Sequence, residues 1–191
     1  MEYAAVIEKF VYSVTPYVIY NFHEFRRKAY DAKVYFRLFG NRANQIYEYL
    51  YNYDHNPYTL QQWALCKSHL GQYKEAFADI DKALLQVPNN FSMQNSRAII
   101  LFEANRHDKS ALGIEKMCEA MDILEKCYKN DKRKVYHAQR YAEFALHLFH
   151  EIGEKKYISQ ARQWINEVIE NGDSVSKATK RYQSSLNRIQ L

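Results

Sequence analysis

Residues 56–90 carry a pattern of two short helices separated by a glycine, and this pattern constrains the fold more than any other feature of the chain. The stretch from Trp63 to Leu70 suits one amphipathic helix that ends at Gly71, because glycine readily adopts the left-handed conformation that closes a helix. A second helix is predicted to follow and to end at Pro88, which cannot continue it. Its apolar stripe recurs at steps of three and four residues and comprises Ala76, Ile80, Ala83, Leu84 and Val87. The pattern indicates an antiparallel helix pair, and an ordinary helical hairpin is the simpler alternative.

Small residues at regular positions allow the two helices of this segment to pack closely. The small positions are Ala64, Ala76 and Ala83; Gly71 and Tyr73 form the turn, and Pro88 ends the unit. In this spacing the segment resembles a tetratricopeptide repeat of about 34 residues. Leu60 stands at the tryptophan position of that family and Trp63 at its leucine position. The resemblance implies helix pairs that stack and bind other proteins.

Two weaker copies of the pattern follow along the chain. Arg97 and Ala98 repeat the pattern of Trp63 and Ala64, in which a bulky residue precedes alanine. The partner helix of this second copy is predicted from Ala120, after an insertion at 110–116. Tyr141 and Ala142 repeat the pattern again. The residues that follow in this third copy are Gly153, Tyr157, Ala161, Trp164 and Val168, with one extra helical turn before the glycine. The predicted fold is all-α: a right-handed α-solenoid of tetratricopeptide-like helix pairs, with extra N- and C-terminal helices.

The composition agrees with a largely helical chain. The 191 residues include five glycines and three prolines, which leave few breaks in a helical path. There is no apolar run of about 18 residues and no signal peptide at Met1, so a soluble, cytoplasmic protein is expected. Cys66, Cys118 and Cys127 lack any CxxC pairing, and we expect buried free thiols rather than disulfides or a zinc site.

The chain divides into three predicted regions: tyrosine-rich N-terminal helices at 1–55, the repeats at 56–172 and a basic C-terminal helix at 173–191. Three helices are predicted in the first region, at about 2–12, 16–38 and 41–51. The tyrosines there suit either a partner-facing surface or partly exposed packing. A solenoid needs a polar cap at each end, yet the first residues are largely apolar. Val6 and Phe10 are therefore predicted to contact a second copy or an absent N-terminal domain, with packing on residues 17–39 as the alternative.

A second resemblance rests on the run from NPYTLQQWAL through SMQNSRAIILFEAN, preceded by the tyrosine-rich helices and followed by a terminal helix. This arrangement looks like the C-terminal helical region of certain large bacterial defence proteins. In those proteins such regions follow a sirtuin-like, nuclease or nucleotide-binding domain. The resemblance implies a sensor or regulatory region of an antiphage defence enzyme.

Residue patterns typical of catalysis are absent from the sequence. No Gly-rich phosphate loop, HExxH helix or GxSxG elbow occurs, so the sequence predicts no enzyme and no cofactor. The nearest approach to a metal site is Glu143, His147, His150 and Glu151 on neighbouring turns of one helix. An imidazole and a carboxylate four residues apart can share an ion, but a metal site usually needs a third ligand and a supporting shell. No metal is therefore predicted.

Positive charge is concentrated towards the C-terminus of the chain, which has a net charge of +5. Residues 174–191 contain no acidic residue, and DKRK at 131–134 forms a second basic cluster. The predicted basic stripe consists of Lys177, Lys180, Arg181 and Arg188. Such a stripe suits phosphates or an acidic protein surface, or is simply a solvated face.

A partner-binding groove follows from the resemblance to tetratricopeptide repeats, in which the first helix of each pair lines the concave side. The groove residues predicted on this basis are Gln61, Gln62, Leu65, His69, Asn95, Ser96, Ile99, Arg140, Glu143 and His147. Gln61 and Leu65 replace the lysine and asparagine that hold a peptide carboxylate in chaperone-binding members, so that ligand is not expected. The predicted function is a non-catalytic protein-interaction and assembly module. The alternatives are the regulatory region described above and nucleic-acid backbone binding through the basic stripe.

Overall fold

Seven helices follow one another in a computed structural model of the chain, which describes residues 44, 45, 47–131, 134–171 and 177–189. They are α1 (Pro57–His69), α2 (Tyr73–Gln86), α3 (Phe91–Asn105), α4 (Ala111–Asn130), α5 (Lys134–Ile152), α6 (Lys155–Asn171) and α7 (Lys177–Arg188). A further helical segment at 47–54 precedes α1. All regular structure in the described ranges is helical, which confirms the all-α prediction. The first two helices predicted in the N-terminal region, together with Val6 and Phe10, lie outside the described residues.

The first hairpin, α1 and α2, turns at Gly71 and ends just before Pro88, as the sequence predicts. Asn56 caps α1, its side-chain oxygen accepting a hydrogen bond from the Tyr58 N–H at 2.8 Å, and Pro57 occupies the first turn. Gly71 has a φ of +78° and closes the helix. Ala64, Ala76 and Ala83 are all fully buried, which places small side chains at the seam of the hairpin.

In the second hairpin, α3 and α4, the insertion expected at 110–116 is instead helical. This stretch is the beginning of α4, and Ser110 is its N-cap, accepting a hydrogen bond from the Gly113 N–H at 3.1 Å. A side chain at position 113 would collide with the backbone oxygen of Asp108, so glycine is required for the turn to lie against the helix. The cap and the close approach explain why a helix begins where the sequence indicates a loop.

The third hairpin consists of α5 and α6, and α7 packs on both of them. Gly153, with a φ of +81°, ends α5, and its N–H donates to the Phe149 oxygen at 2.8 Å. The helix before it has 19 residues, consistent with the extra turn predicted for this copy.

Helices contact one another in chain order. Each hairpin packs on the next through α2 with α3 and through α4 with α5, and the first helices α1 and α3 also touch. One apolar core extends through the described hairpins, from Tyr51 to Leu186. Within the described part of the chain, no helix combines the length and the apolar character needed to cross a membrane.

Candidate functional site

Half of the predicted groove residues are buried between helices, contrary to the exposure expected of a groove. Gln61, Leu65, Asn95, Ser96 and Ile99 are between 1 and 7 % exposed. Gln62 and His147 are half-buried, and His69 is exposed. These side chains are buried because the first helices α1, α3 and α5 lie close enough for the side chains to form contacts between neighbouring helices.

The contact between α1 and α3 is made by the Gln61 amide. Its Nε2 donates to the Ser96 hydroxyl at 2.8 Å and lies within 3.0 Å of the Ser92 carbonyl oxygen. The Ser96 hydroxyl in turn donates to the same Ser92 carbonyl oxygen at 3.1 Å. A buried polar group destabilises the fold unless it has a hydrogen-bond partner. This network therefore specifies how the first hairpin packs on the second.

The contact between α3 and α5 is made by a buried histidine. Asn95 Nδ2 lies 2.9 Å from His137 Nδ1, and His137 Nε2 lies 2.7 Å from a carboxylate oxygen of Asp131. With the amide donating to Nδ1, the histidine donates its Nε2–H to the carboxylate. Since Asp131 ends α4 and His137 is only 1 % exposed, this set of three side chains joins α3, α4 and α5.

Cys127 completes a cysteine, histidine and aspartate grouping, but its thiol is not activated. Burial, followed by the nearby Asp131 carboxylate, raises the pKa of the Cys127 thiol to about 11. Its sulfur faces the Gln94 side-chain oxygen at 3.7 Å and the Phe91 carbonyl oxygen at 3.8 Å. The thiol is therefore protonated near neutral pH, whereas nucleophilic catalysis requires the thiolate. Cys66 and Cys127 are buried and, as predicted, are not in disulfides, and Cys118 is a half-buried thiol that contacts the Tyr157 hydroxyl at 3.4 Å.

His147 also crosses from α5 to α3. Its Nε2 donates to the Arg106 carbonyl oxygen at 2.9 Å, and its ring meets the edge of Phe102. Phe102 stacks on Phe144 with ring centroids 3.7 Å apart. An aromatic contact and a hydrogen bond therefore fix the end of the second hairpin against the third.

Three of the four side chains that resemble a metal site have separate partners. Glu143 pairs with Arg140 at 2.7 Å, His147 bonds to the backbone as above, and Glu151 pairs with Lys109 at 2.9 Å. The hydrogen bond and charge of Lys109 lower the pKa of Glu151. Among the described residues, no group of three or more histidine, cysteine or acidic side chains is placed to hold a metal ion.

One cluster of surface side chains on α5 consists of Tyr136, Arg140 and Glu143, which we call the α5 face. Tyr136 is 47 % exposed, and the Arg140 guanidinium lies 5.8 Å from the centroid of its ring. Arg140 and Glu143 form an ion pair with side chains 26 and 35 % exposed. Their spacing of three and four residues places all three on one side of the helix. Tyr136 was not among the predicted groove residues, although its spacing from Arg140 could have indicated it.

The predicted basic stripe lies on α7, where Lys180 and Arg188 are exposed. The side chains of Lys177 and Arg181 are outside the described ones. In the DKRK cluster, Asp131 is turned inward to His137, and residues 132 and 133 are also outside the described ones.

Comparisons of the chain with protein-family models, curated proteins and solved structures gave no match. The tetratricopeptide and defence-protein resemblances therefore stay predictions.

Proposed function

We propose that the chain is a non-catalytic protein-interaction and assembly module, an α-solenoid of tetratricopeptide-like hairpins that binds a protein segment through the α5 face. The observation that carries the proposal is the exposed Tyr136 beside the Arg140–Glu143 pair, on the first helix of the third hairpin. Tyrosine and arginine are enriched among the residues that contribute most to binding at protein interfaces, and both occur here on a helix that packs against its neighbours.

Rigid support for this face comes from the neighbouring flank of α5, about a quarter of a turn away. His137 is tied to Asn95 and Asp131, and Phe144 is stacked on Phe102. The contacts hold α5 against both α3 and α4, so a partner meets a surface that needs little ordering on binding.

The hairpin arrangement also supports an interaction role. Consecutive hairpins pack in chain order, and first helices of neighbouring pairs contact each other through Gln61, Asn95 and His147. In repeat proteins such stacking produces an extended surface that is used for binding. The buried polar side chains of the first helices form hydrogen bonds between hairpins. Partner recognition is therefore expected from the exposed side chains of the same helices.

Site-specific photo-crosslinking tests the proposal. A benzophenone amino acid in place of Tyr136 should give discrete crosslinked protein products in cells. The same probe in place of Leu85, which is 82 % exposed on α2, is the control and should not give them. Identical products from both positions would contradict binding at the α5 face.

Replacing Arg140 and Glu143 with alanine measures the contribution of the ion pair. Binding of the crosslinked partner should weaken at least about fivefold, the change that corresponds to 1 kcal/mol. The thermal unfolding temperature should change little, because an ion pair three residues apart on one helix contributes only about 0.2 to 0.5 kcal/mol. Loss of the helical circular dichroism signal with unchanged binding would instead assign these residues to the fold.

A further inference from the structure

Helix α7 has one buried side and one polar side. Leu186 is 2 % exposed and belongs to the core, and Ile189 packs against it from just beyond the helix end. At 3.6 residues per turn, positions 177, 180, 181, 184 and 188 fall within an arc of about 100° opposite Leu186. Four of these five positions are lysine or arginine, and Ser184, like Lys180 and Arg188, is exposed. We call this arc the α7 basic face.

The charges on this face differ from those of the hairpins. Basic side chains elsewhere are repeatedly paired with carboxylates, as in Lys109 with Glu151, Lys116 with Glu119 and Lys129 with Glu125. No acidic residue occurs between Ser174 and the end of the chain. Among the described residues, no ion pair involves Lys180 or Arg188. The positive charge of α7 is therefore not neutralised within its own helix.

Arg162 of α6 pairs with backbone carbonyl groups at the end of α7. Its guanidinium donates to the carbonyl oxygens of Leu186 at 3.1 Å and Ile189 at 2.8 Å. Unpaired carbonyl groups give the C-terminus of a helix a partial negative charge, which would repel an anion beside Arg188. With these oxygens occupied by a cation, the basic face stays positive along its length.

We infer that the α7 basic face binds the phosphodiester backbone of a nucleic acid, without reading the bases. The exposed side chains of α7, Lys180, Gln183, Ser184, Asn187 and Arg188, are of the types that donate hydrogen bonds to phosphate oxygens. An acidic protein fits less well, because protein interfaces are centred on aromatic and apolar side chains that this face lacks. A membrane surface fits less well too, because an interfacial helix inserts its apolar side, and that side of α7 is buried.

The test is the salt dependence of binding to a fluorescently labelled, mixed-sequence DNA duplex, followed by anisotropy. Contacts from four cations should make the affinity of the unmodified chain fall about 100-fold between about 50 and 200 mM salt. The K180Q/R188Q variant should lose two contacts, so its affinity should fall only about tenfold over the same range and be weaker throughout. The charge-preserving K180R/R188K variant should keep the steep salt dependence.

The matched control is K74Q/K126Q, which removes two exposed lysines from α2 and α4 and changes the net charge equally. It should behave as the unmodified chain does. Equal weakening in both glutamine variants would show attraction by net charge alone and would overturn the inference. Absence of binding at about 50 mM salt would overturn it as well. So would tighter binding of a poly-glutamate peptide or of anionic lipid vesicles than of DNA. These outcomes leave the α5 face unaffected, because no residue is shared.

Discussion

Single small residues decide how closely the helices of the first hairpin approach. Ala64 on α1 and Ala76 and Ala83 on α2 have no exposed surface, and each is surrounded by the larger side chains of the core. Interiors are packed at the density of organic crystals, so there is little room at these positions for added methyl groups. Ala78 lies on the same helix as Ala76 but is exposed.

Replacing Ala76 with leucine should therefore overpack the seam and lower the free energy of unfolding by about 1 to 3 kcal/mol. Denaturant unfolding of A76L and of the control A78L measures the difference, and A78L should change stability by no more than about 0.5 kcal/mol. Equal unfolding midpoints for the two variants would show that the seam lies elsewhere.

At the scale of the element, α7 is attached by fewer contacts than the paired helices. It packs on α6 and α5 through Leu186 and Ile189, and Arg162 holds its C-terminal carbonyl oxygens. Hydrogen bonds from a charged donor contribute more than neutral ones, about 1.5 to 3 kcal/mol each. This single side chain is therefore a large part of what fixes the end of α7.

The R162Q variant should loosen α7 while leaving α1 to α4 unchanged. Amide hydrogen exchange in α7 should become roughly tenfold faster, since opening an element locally costs less once such a contact is lost. Exchange followed by mass spectrometry checks this, with Q163A as the control at an exposed neighbouring position. Faster exchange throughout the chain would contradict a local role for Arg162.

At the largest scale, the second and third hairpins contain buried groups that must stay protonated. Burial raises the pKa of Tyr141 to about 12, with smaller contributions from Glu125 and Asp122. Burial also raises the pKa of Tyr128 to about 12, assisted by its hydrogen bond to Glu167. The pKa of Cys127, at about 11, is likewise raised by burial. Tyr128 and Tyr141 lie between α4 and the third hairpin, whereas the Cys127 sulfur faces α3. Their ionisation therefore bears on packing both within and between these hairpins.

The fold should be stable below about pH 9 and lose stability as the pH rises towards 12. In each case the folded state holds its proton more tightly than the unfolded chain, whose pKa values are 9.0 for the thiol and 10.0 for the phenols. The stabilisation is therefore complete below these values and is lost as the pH rises through the folded ones.

Thermal unfolding at a series of alkaline pH values measures this loss. In C127A the fall should begin about one pH unit higher, because only the tyrosines then contribute. An unfolding temperature that stays constant between about pH 8 and 11 would contradict the raised pKa values.

Several helix ends can be read from local residues in the sequence. Asn56 with Pro57, Gly71, Pro88 and Gly153 act through their own backbone and nearest neighbours, so their effect can be read without knowing the fold. The cap at Ser110 was missed, because the helix start depends on Asp108 lying against Gly113.

Only the tertiary structure decided which side of each helix is buried and what remains for a partner. Gln61 and Asn95 are polar and were predicted to line a groove, yet each is buried, because acceptors on a neighbouring helix lie within 3.0 Å. Those acceptors, Ser96 and His137, are separated from them by 35 and 42 positions in the chain. Exposure of Tyr136 beside Arg140 is decided in the same way, by how α5 packs on α3 and α4. Local patterns fix helix ends, whereas a surface is defined by contacts between residues that are distant in sequence.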